Sequence, residues 1–288
     1  MKILITGANG MLAKEVRERF QDNNELILTD VAELDITNEE MVMNFVKREK
    51  PECIINCAAF TAVDKAETAG EIVEKINADG PGNLAKAAKE NDAILVHIST
   101  DYVFGGDLDL SKDYKEDDPK APVTAYGITK LHGEEQIEAN TDKYYIFRTA
   151  WLYGIGGNNF VKTMTKLGTD RDELSVVSDQ HGSPTYAKDL AEFIYKAVTK
   201  KIPFGVYHAT NQGYTTWYDF TKKILEKQGI ECKENPVTTE EYIEMMKITQ
   251  AKRPFNSKLS KEKLINAGIE VPNWEDGLDR YLKEQNNI

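Results

Sequence analysis

Short runs of continuous apolar residues alternate with longer stretches of helical spacing through the first half of the chain. Ile3-Leu4-Ile5, Leu26-Ile27-Leu28, Cys53-Ile54-Ile55 and Ile94-Leu95-Val96 show no polar alternation. That is how a strand reads when helices cover both faces of its sheet. Tyr144-Tyr145-Ile146-Phe147 reads as a fifth strand. Between them, Met41, Phe45 and Val46 share a helical face, with Thr37 and Glu40 placed to form a capping box at its start. Leu84, Ala87 and Ala88 do the same in the next unit, and Ile128, Leu131, Glu135 and Ile137 mark a helix before the fifth strand. Strand, helix and strand in repetition predict right-handed crossovers and an α/β fold, a Rossmann-type doubly wound parallel sheet.

The second half is less regular. Strands are predicted at 174–177 and 206–208, and helices at 190–198, 217–225, 261–265 and 277–282. No low-complexity linker or composition shift interrupts it. The expectation is a dinucleotide-binding domain of residues 1–155, to which 181–208 return. A smaller substrate-binding part, 156–180 and 209–288, packs tightly upon it.

Composition narrows the partners. In 288 residues, 36 Lys and Arg stand against 48 Asp and Glu, a net charge of −12. An acidic chain lacks the basic face that nucleic acid or an anionic membrane demands, although a local anion pocket is compatible with it. Acidic runs such as Glu116-Asp117-Asp118 and Glu240-Glu241 read as solvated faces or helix starts. Three cysteines, Cys53, Cys57 and Cys232, have no metal-ligand spacing and read as reduced thiols. The four histidines are scattered, and His97, inside a strand, reads as a hydrogen-bonded core residue. Met1 leads straight into the first strand with no secretory apolar region, and no stretch of ~20 apolar residues is present to span a bilayer. The expected compartment is the cytoplasm.

The first chemical signal follows the first strand. Thr6-Gly7-Ala8-Asn9-Gly10-Met11-Leu12-Ala13 places Gly7 and Gly10 in a strand-to-helix turn, with the small Ala13 in the third glycine position. Such a turn lets the backbone approach a pyrophosphate, and the helix start supplies free N–H groups and a positive dipole end. Asp30, twenty residues beyond Gly10, is placed to accept from the adenosine ribose and to repel a 2′-phosphate. Its neighbours Val31, Ala32 and Glu33 are not basic. NADH is therefore expected to be preferred, with NADPH also accepted.

The second signal is Tyr126-Gly127-Ile128-Thr129-Lys130, a phenol and an ammonium one helical turn apart. A lysine so placed is expected to lower the phenol's pKa and let it protonate a carbonyl. The strand through Val96 ends in Ser99-Thr100-Asp101-Tyr102, at the edge where open α/β sheets bind ligands, so Thr100 can bond the same carbonyl oxygen.

Gly7-Ala-Asn-Gly10, Asn56-Cys-Ala-Ala-Phe-Thr-Ala-Val-Asp64, Ser99-Thr-Asp-Tyr-Val-Phe104, Tyr126-Gly-Ile-Thr-Lys130 and Arg148-Thr-Ala-Trp-Leu-Tyr-Gly154 together resemble the extended short-chain dehydrogenase/reductases. Arg253-Pro-Phe-Asn-Ser257 resembles a motif of one nucleotide-sugar subfamily, and the likeness covers nearly the whole chain. It implies catalytic Thr100, Tyr126 and Lys130, with Tyr126 as acid, Lys130 tuning it and holding the nicotinamide ribose, and Thr100 polarising the ketone. Asn9, Gly10 and Met11 match the pyrophosphate turn, Asp35 and Ile36 the adenine flank, and Ala59, Phe60 and Thr61 the loop over ribose and phosphates. Val63, Asp101, Tyr102, Trp151 and Arg253 fall where the family contacts its sugar nucleotide. Cys57 and Phe60 depart from the residues, often Ala and His, found there. The implied reaction is hydride transfer to the C4 ketone of dTDP-4-dehydro-L-rhamnose, by a monomer or homodimer. Some relatives dimerise around magnesium held by glutamates; Glu15 is a conceivable ligand, but no ligand cluster is legible and no metal site is assigned. An epimerase or 4,6-dehydratase is the alternative enzyme, although the dehydratase's Asp-Glu pair is replaced here by Asp101-Tyr102. The non-enzymatic alternative is a reductase-like regulatory subunit.

Overall fold

The computed structural model describes residues 1–107 and 109–286. Strands β1 (Lys2–Thr6), β2 (Glu25–Thr29), β3 (Cys53–Asn56), β4 (Ile94–Thr100), β5 (Tyr144–Thr149) and β6 (Gly205–His208) form one six-stranded sheet. Its order is β6-β5-β4-β3-β1-β2, and every pairing is parallel. Helices α1 (Met11–Phe20), α2 (Glu39–Glu49), α3 (Gly80–Glu90), α4 (Ala125–Asn140) and α5 (Ala187–Lys200) flank it.

The continuous apolar runs are explained by this arrangement. Ile3, Ile5, Cys53, Ile55, Val96, Tyr145 and Phe147 pack on α1 and α5. The intervening Leu4, Ile54, Leu95 and Ile146 pack on the opposite layer with α2 and α3. Each fully buried Ile, Leu or Phe contributes roughly 1.5–3 kcal/mol of transfer free energy, so both faces must be apolar. Strand order reverses between β1 and β3, whose carboxyl ends meet at Thr6 and Asn56. That switch point is where such sheets leave a crevice.

Two local expectations are corrected. The α2 cap is Asn38, whose side chain accepts from Met41 N, rather than Thr37 with Glu40. Thr37 is unavailable because its N–H and hydroxyl both donate to Asp35 Oδ1. On α4, Ile128 is exposed, and the buried face instead carries Gly127, Thr129, Lys130, Gly133, Glu134 and Ile137. Small residues are required there: a Cβ on Gly127 would lie 2.3 Å from Tyr102 O, and one on Gly133 2.2 Å from Asn77 O.

The remaining residues build a second cluster, in which Tyr153, Val161, Tyr186, Phe220, Trp274 and Tyr281 interlock between helices Phe160–Asp170, Trp217–Gln228 and Trp274–Gln285. Strand Glu173–Val177 pairs in parallel with Lys233–Val237 beside it. Glu240-Glu241 does open a helix, Thr239–Met246, through a capping box between Thr238 and Glu241. Glu116 is not merely solvated, since its carboxylate accepts from His208 N and its carbonyl from Arg148. Among the described residues no helix is long and apolar enough to cross a membrane.

Candidate active site

The glycine turn has the form its spacing requires. Gly7 holds φ +62°, and a Cβ there would stand 2.7 Å from Ala58 N. Gly10 caps α1 without any side-chain hydrogen bond, so the helix N–H groups face outward. Asp30 comes back against the turn: its Oδ2 accepts from Asn9 N at 3.2 Å and its Oδ1 from Val31 N at 2.9 Å. Asp35 is occupied with Thr37, while Ile36 is buried beneath Gly80, and its carbonyl takes Asn83 Nδ2. The loop 59–61 is held by Asn77, which clamps Phe60 through both its N–H (2.8 Å) and its C=O (3.1 Å).

Beside the turn opens a cleft of about 530 Å³ that gathers Gly10, Met11, Ala59, Thr61 and Val63 with Thr100, Asp101, Tyr102, Tyr126, Lys130 and Trp151. Residues from Gly10 to Trp151 thus share one space, whose walls also carry Asn56, Cys57 and Asn158. Gly7, Asn9, Asp30, Asp35, Ile36 and Phe60 do not line it, and Arg253 lines its neighbour. That adjoining cavity, about 690 Å³, shares Tyr102 and Trp151 with the cleft and is walled by Phe160, Met164, Leu174, Gln180 and Trp217. Trp151 sits at positive φ, +49°, and stacks on Trp217 with centroids 3.7 Å apart. Trp151 therefore stands between the two cavities with its backbone in a sparsely populated region.

Within the cleft the hydrogen bonds are directional. Thr100 Oγ1 donates to Asp101 Oδ1 at 2.9 Å, and Ser257 Oγ to Asp101 Oδ2 at 2.5 Å. Burial pushes the Asp101 carboxyl up to about 6, against the opposing effect of those bonds. Tyr102 meets Tyr126 edge to face at 5.5 Å, and its hydroxyl accepts from Arg253 Nη1 at 3.2 Å. Arg253 is in turn paired bidentately with Asp64. Lys130 Nζ donates to Ile98 O at 2.6 Å and lies 3.0 Å from His97 Nε2. Burial lowers its pKa to about 8. The expected lowering of Tyr126 is not seen: burial raises its phenol, opposed by a hydrogen bond with Thr100, while Lys130 Nζ is engaged with Ile98 O and His97 Nε2. Below them Glu134 accepts two bonds from Arg148 and one from Ser99, anchoring α4 to β4 and β5.

Sequence reasoning missed Asp64, Ser257, Trp217 and Gln180 as neighbours of the site. Asp64 and Ser257 end two of the quoted motifs, which was the available signal. Trp217 and Gln180 had none. Glu15 lies in a separate groove between α1 and α5, its carboxyl pushed up to about 7 by burial and by Glu18 and Glu284. Among the described residues no group of three or more His, Cys, Asp or Glu is placed to hold a metal.

Fold and cleft together define the class, a Rossmann-type chain of the extended short-chain dehydrogenase/reductase kind. More narrowly, residues 1–287 match the family model described as RmlD substrate binding domain, and the chain belongs to that family. It is 41% identical to the spore coat polysaccharide biosynthesis protein SpsK of Bacillus subtilis, over 99% of this chain and 98% of that one. A crystal structure of a dTDP-4-dehydrorhamnose reductase from Clostridium acetobutylicum superposes with a TM-score of 0.93 at 47% identity, covering 99% of this chain and 100% of that one. The dTDP-4-dehydrorhamnose reductase of Bacillus anthracis, solved in complex with NADP, gives a TM-score of 0.92 at 42% identity, over 98% of this chain and 99% of that one.

Proposed function

We propose that the chain is an NAD(P)H-dependent reductase that converts dTDP-4-dehydro-L-rhamnose to dTDP-L-rhamnose, the activated sugar for cell-surface polysaccharide. The observation that carries it is Thr100, Tyr126 and Lys130 in one cleft with the start of α1, opening onto a second cavity with aromatic walls. The names of the relatives agree with it.

The cradle at Gly7 and the uncapped start of α1 fit a dinucleotide's pyrophosphate, with Asn9, Gly10 and Met11 around it. Asp30 reaches for the adenosine ribose and disfavours a 2′-phosphate, Asp35 and Ile36 flank the adenine, and Ala59, Phe60 and Thr61 cover the ribose and phosphates. The bound nicotinamide supplies hydride. Tyr126 gives its proton to the ketone oxygen, and Thr100 donates a hydrogen bond to that oxygen as charge develops on it. Without substrate, Asp101 takes the single Thr100 hydroxyl hydrogen, which Thr100 turns to the ketone oxygen when the substrate is bound. Val63, Tyr102, Trp151 and Arg253 contact the sugar nucleotide, its base and diphosphate lying toward the second cavity. Residues 156–180 and 209–288 are the substrate-binding part of this division. The chain works in the cytoplasm.

The test is oxidation of NADH and NADPH by the purified protein against a panel of 4-keto nucleotide sugars. Turnover of dTDP-4-dehydro-L-rhamnose is expected, with Tyr126→Phe folded, binding cofactor and losing most of it. Near-normal turnover by Tyr126→Phe refutes its role as acid. Cofactor that copurifies and is not exchanged points instead to an epimerase or dehydratase, and inactivity across the panel to a regulatory subunit.

A further inference from the structure

His97, buried in β4, touches Lys130 but has no part in the reaction above. The polarity of its bonds can be worked out from one backbone group. Ala58 N–H donates to Asn56 Oδ1 at 3.1 Å, and Thr6 Oγ1 donates to the same oxygen at 2.7 Å. A backbone N–H cannot accept, so it settles which end of the Asn56 amide is oxygen. The amide nitrogen therefore faces His97 Nδ1, 3.0 Å away, and donates to it. Nδ1 must then be the bare nitrogen, and a neutral imidazole carries its hydrogen on Nε2. His97 is neutral, since its burial holds its pKa well below the usual histidine value.

Nε2 is the atom that lies 3.0 Å from Lys130 Nζ. An ammonium there would set donor against donor. A neutral amine instead accepts from Nε2–H through its lone pair while donating to Ile98 O at 2.6 Å.

We propose that His97 is a positioning residue for Lys130: Asn56 sets its tautomer, and its Nε2–H stabilises the unprotonated amine, keeping the lysine proton easily released. With the reaction assigned above, Lys130 returns a proton to the Tyr126 oxygen after the phenol has given its own to the ketone. The amine left behind is the form that His97 receives, and solvent then restores its proton. The other groups around Lys130 do not supply this effect. Glu134, one turn along α4, favours the ammonium but is itself paired with Arg148. Tyr126, one turn back, Asp101 beyond β4 and Cys57 beyond β3 share the cleft, with the Cys57 thiol pushed up to about 12.

The direct test needs no substrate. Long-range ¹⁵N–¹H spectra of uniformly labelled wild-type protein, with His97→Asn identifying the resonance, are expected to show the Nε2–H tautomer from pH 6 to 9. A hydrogen on Nδ1, or an imidazolium in that range, overturns the proposal and leaves the reductase reading untouched. The second test rests on that reading. The high-pH limb of kcat/KM for ketone reduction is expected near pH 8. His97→Gln, whose amide can turn its oxygen to Nζ, is expected to move that limb up by about one unit, a tenfold gain in proton affinity. A merely structural role would lower turnover without moving the limb, and an unmoved limb in a folded His97→Gln protein refutes the assignment.

Discussion

Glu134→Ala is expected to be among the most damaging single changes in this fold. Glu134 and Arg148 have side-chain exposures of 1% and 0%. They form a bidentate pair, Nε to Oε1 at 2.9 Å and Nη2 to Oε2 at 2.7 Å, and Ser99 Oγ adds a bond of 2.5 Å. Alanine removes the carboxylate and leaves a guanidinium buried, with Glu116 O at 2.9 Å as a neutral partner. Removing one partner of a buried pair costs about 3–5 kcal/mol, mostly the desolvation of the charge left behind. For a chain of this size that lowers the melting temperature by on the order of 10 °C. Because Tyr126, Lys130 and Glu134 recur every fourth residue along α4, loss of the anchor is also expected to lower kcat more than it raises KM. Calorimetry or urea unfolding of Glu134→Ala, Arg148→Met and the double variant measures this. The double variant, with no stranded charge, is expected to recover at least half of the loss. A Glu134→Ala protein destabilised by less than about 1 kcal/mol, or a double variant less stable than both singles, would refute the reasoning.

Five other outcomes are expected. Gly7→Ala meets the backbone of Ala58 at 2.7 Å at φ +62° and should abolish cofactor binding in a fluorescence titration. Gly70→Ala, at φ +63° and ψ −140° with nothing within 4 Å, should cost only the strain of a backbone region that glycine alone adopts readily, roughly 1–3 kcal/mol, and leave binding intact. Asp30→Ala should shift the NADH-to-NADPH ratio of kcat/KM toward NADPH by about tenfold, or about 1.4 kcal/mol, and an unchanged ratio removes Asp30 from cofactor selection. The Glu15 carboxyl is raised from 4.5 to about 7, so the folded chain binds its proton more tightly than the unfolded chain. Folding stability should therefore fall as pH rises through that window, and Glu15→Gln should flatten the fall in urea titrations at several pH values. Finally, the −12 charge repels anionic ligands at long range. Moderate salt should weaken cofactor binding little, and a steep loss in a salt titration contradicts local, short-range recognition.

The apolar runs by themselves determined the five strands predicted in the first half; a strand covered on both faces has no choice but to be apolar throughout, and only the edge strand β2 is half covered, with Leu28 exposed. Gly7 and Tyr126 were legible for a similar reason: a positive φ against a neighbouring backbone and an i, i+4 pair are local facts. Three things were decided only by the fold. The buried face of α4 could not be read from its apolar residues, since the face that meets the sheet carries Lys130 and Glu134 and is satisfied by His97, Ser99 and Arg148. Asp64 and Arg253, 189 positions apart, form an ion pair across two sequence-distant motifs. The tautomer of His97 depends on Asn56 and Ala58 at the end of β3 and on Lys130 in α4, which come from separate parts of the chain. Periodicity reports what one element buries; which polar groups meet, and in what protonation state, is set by contacts between elements that no local pattern encodes.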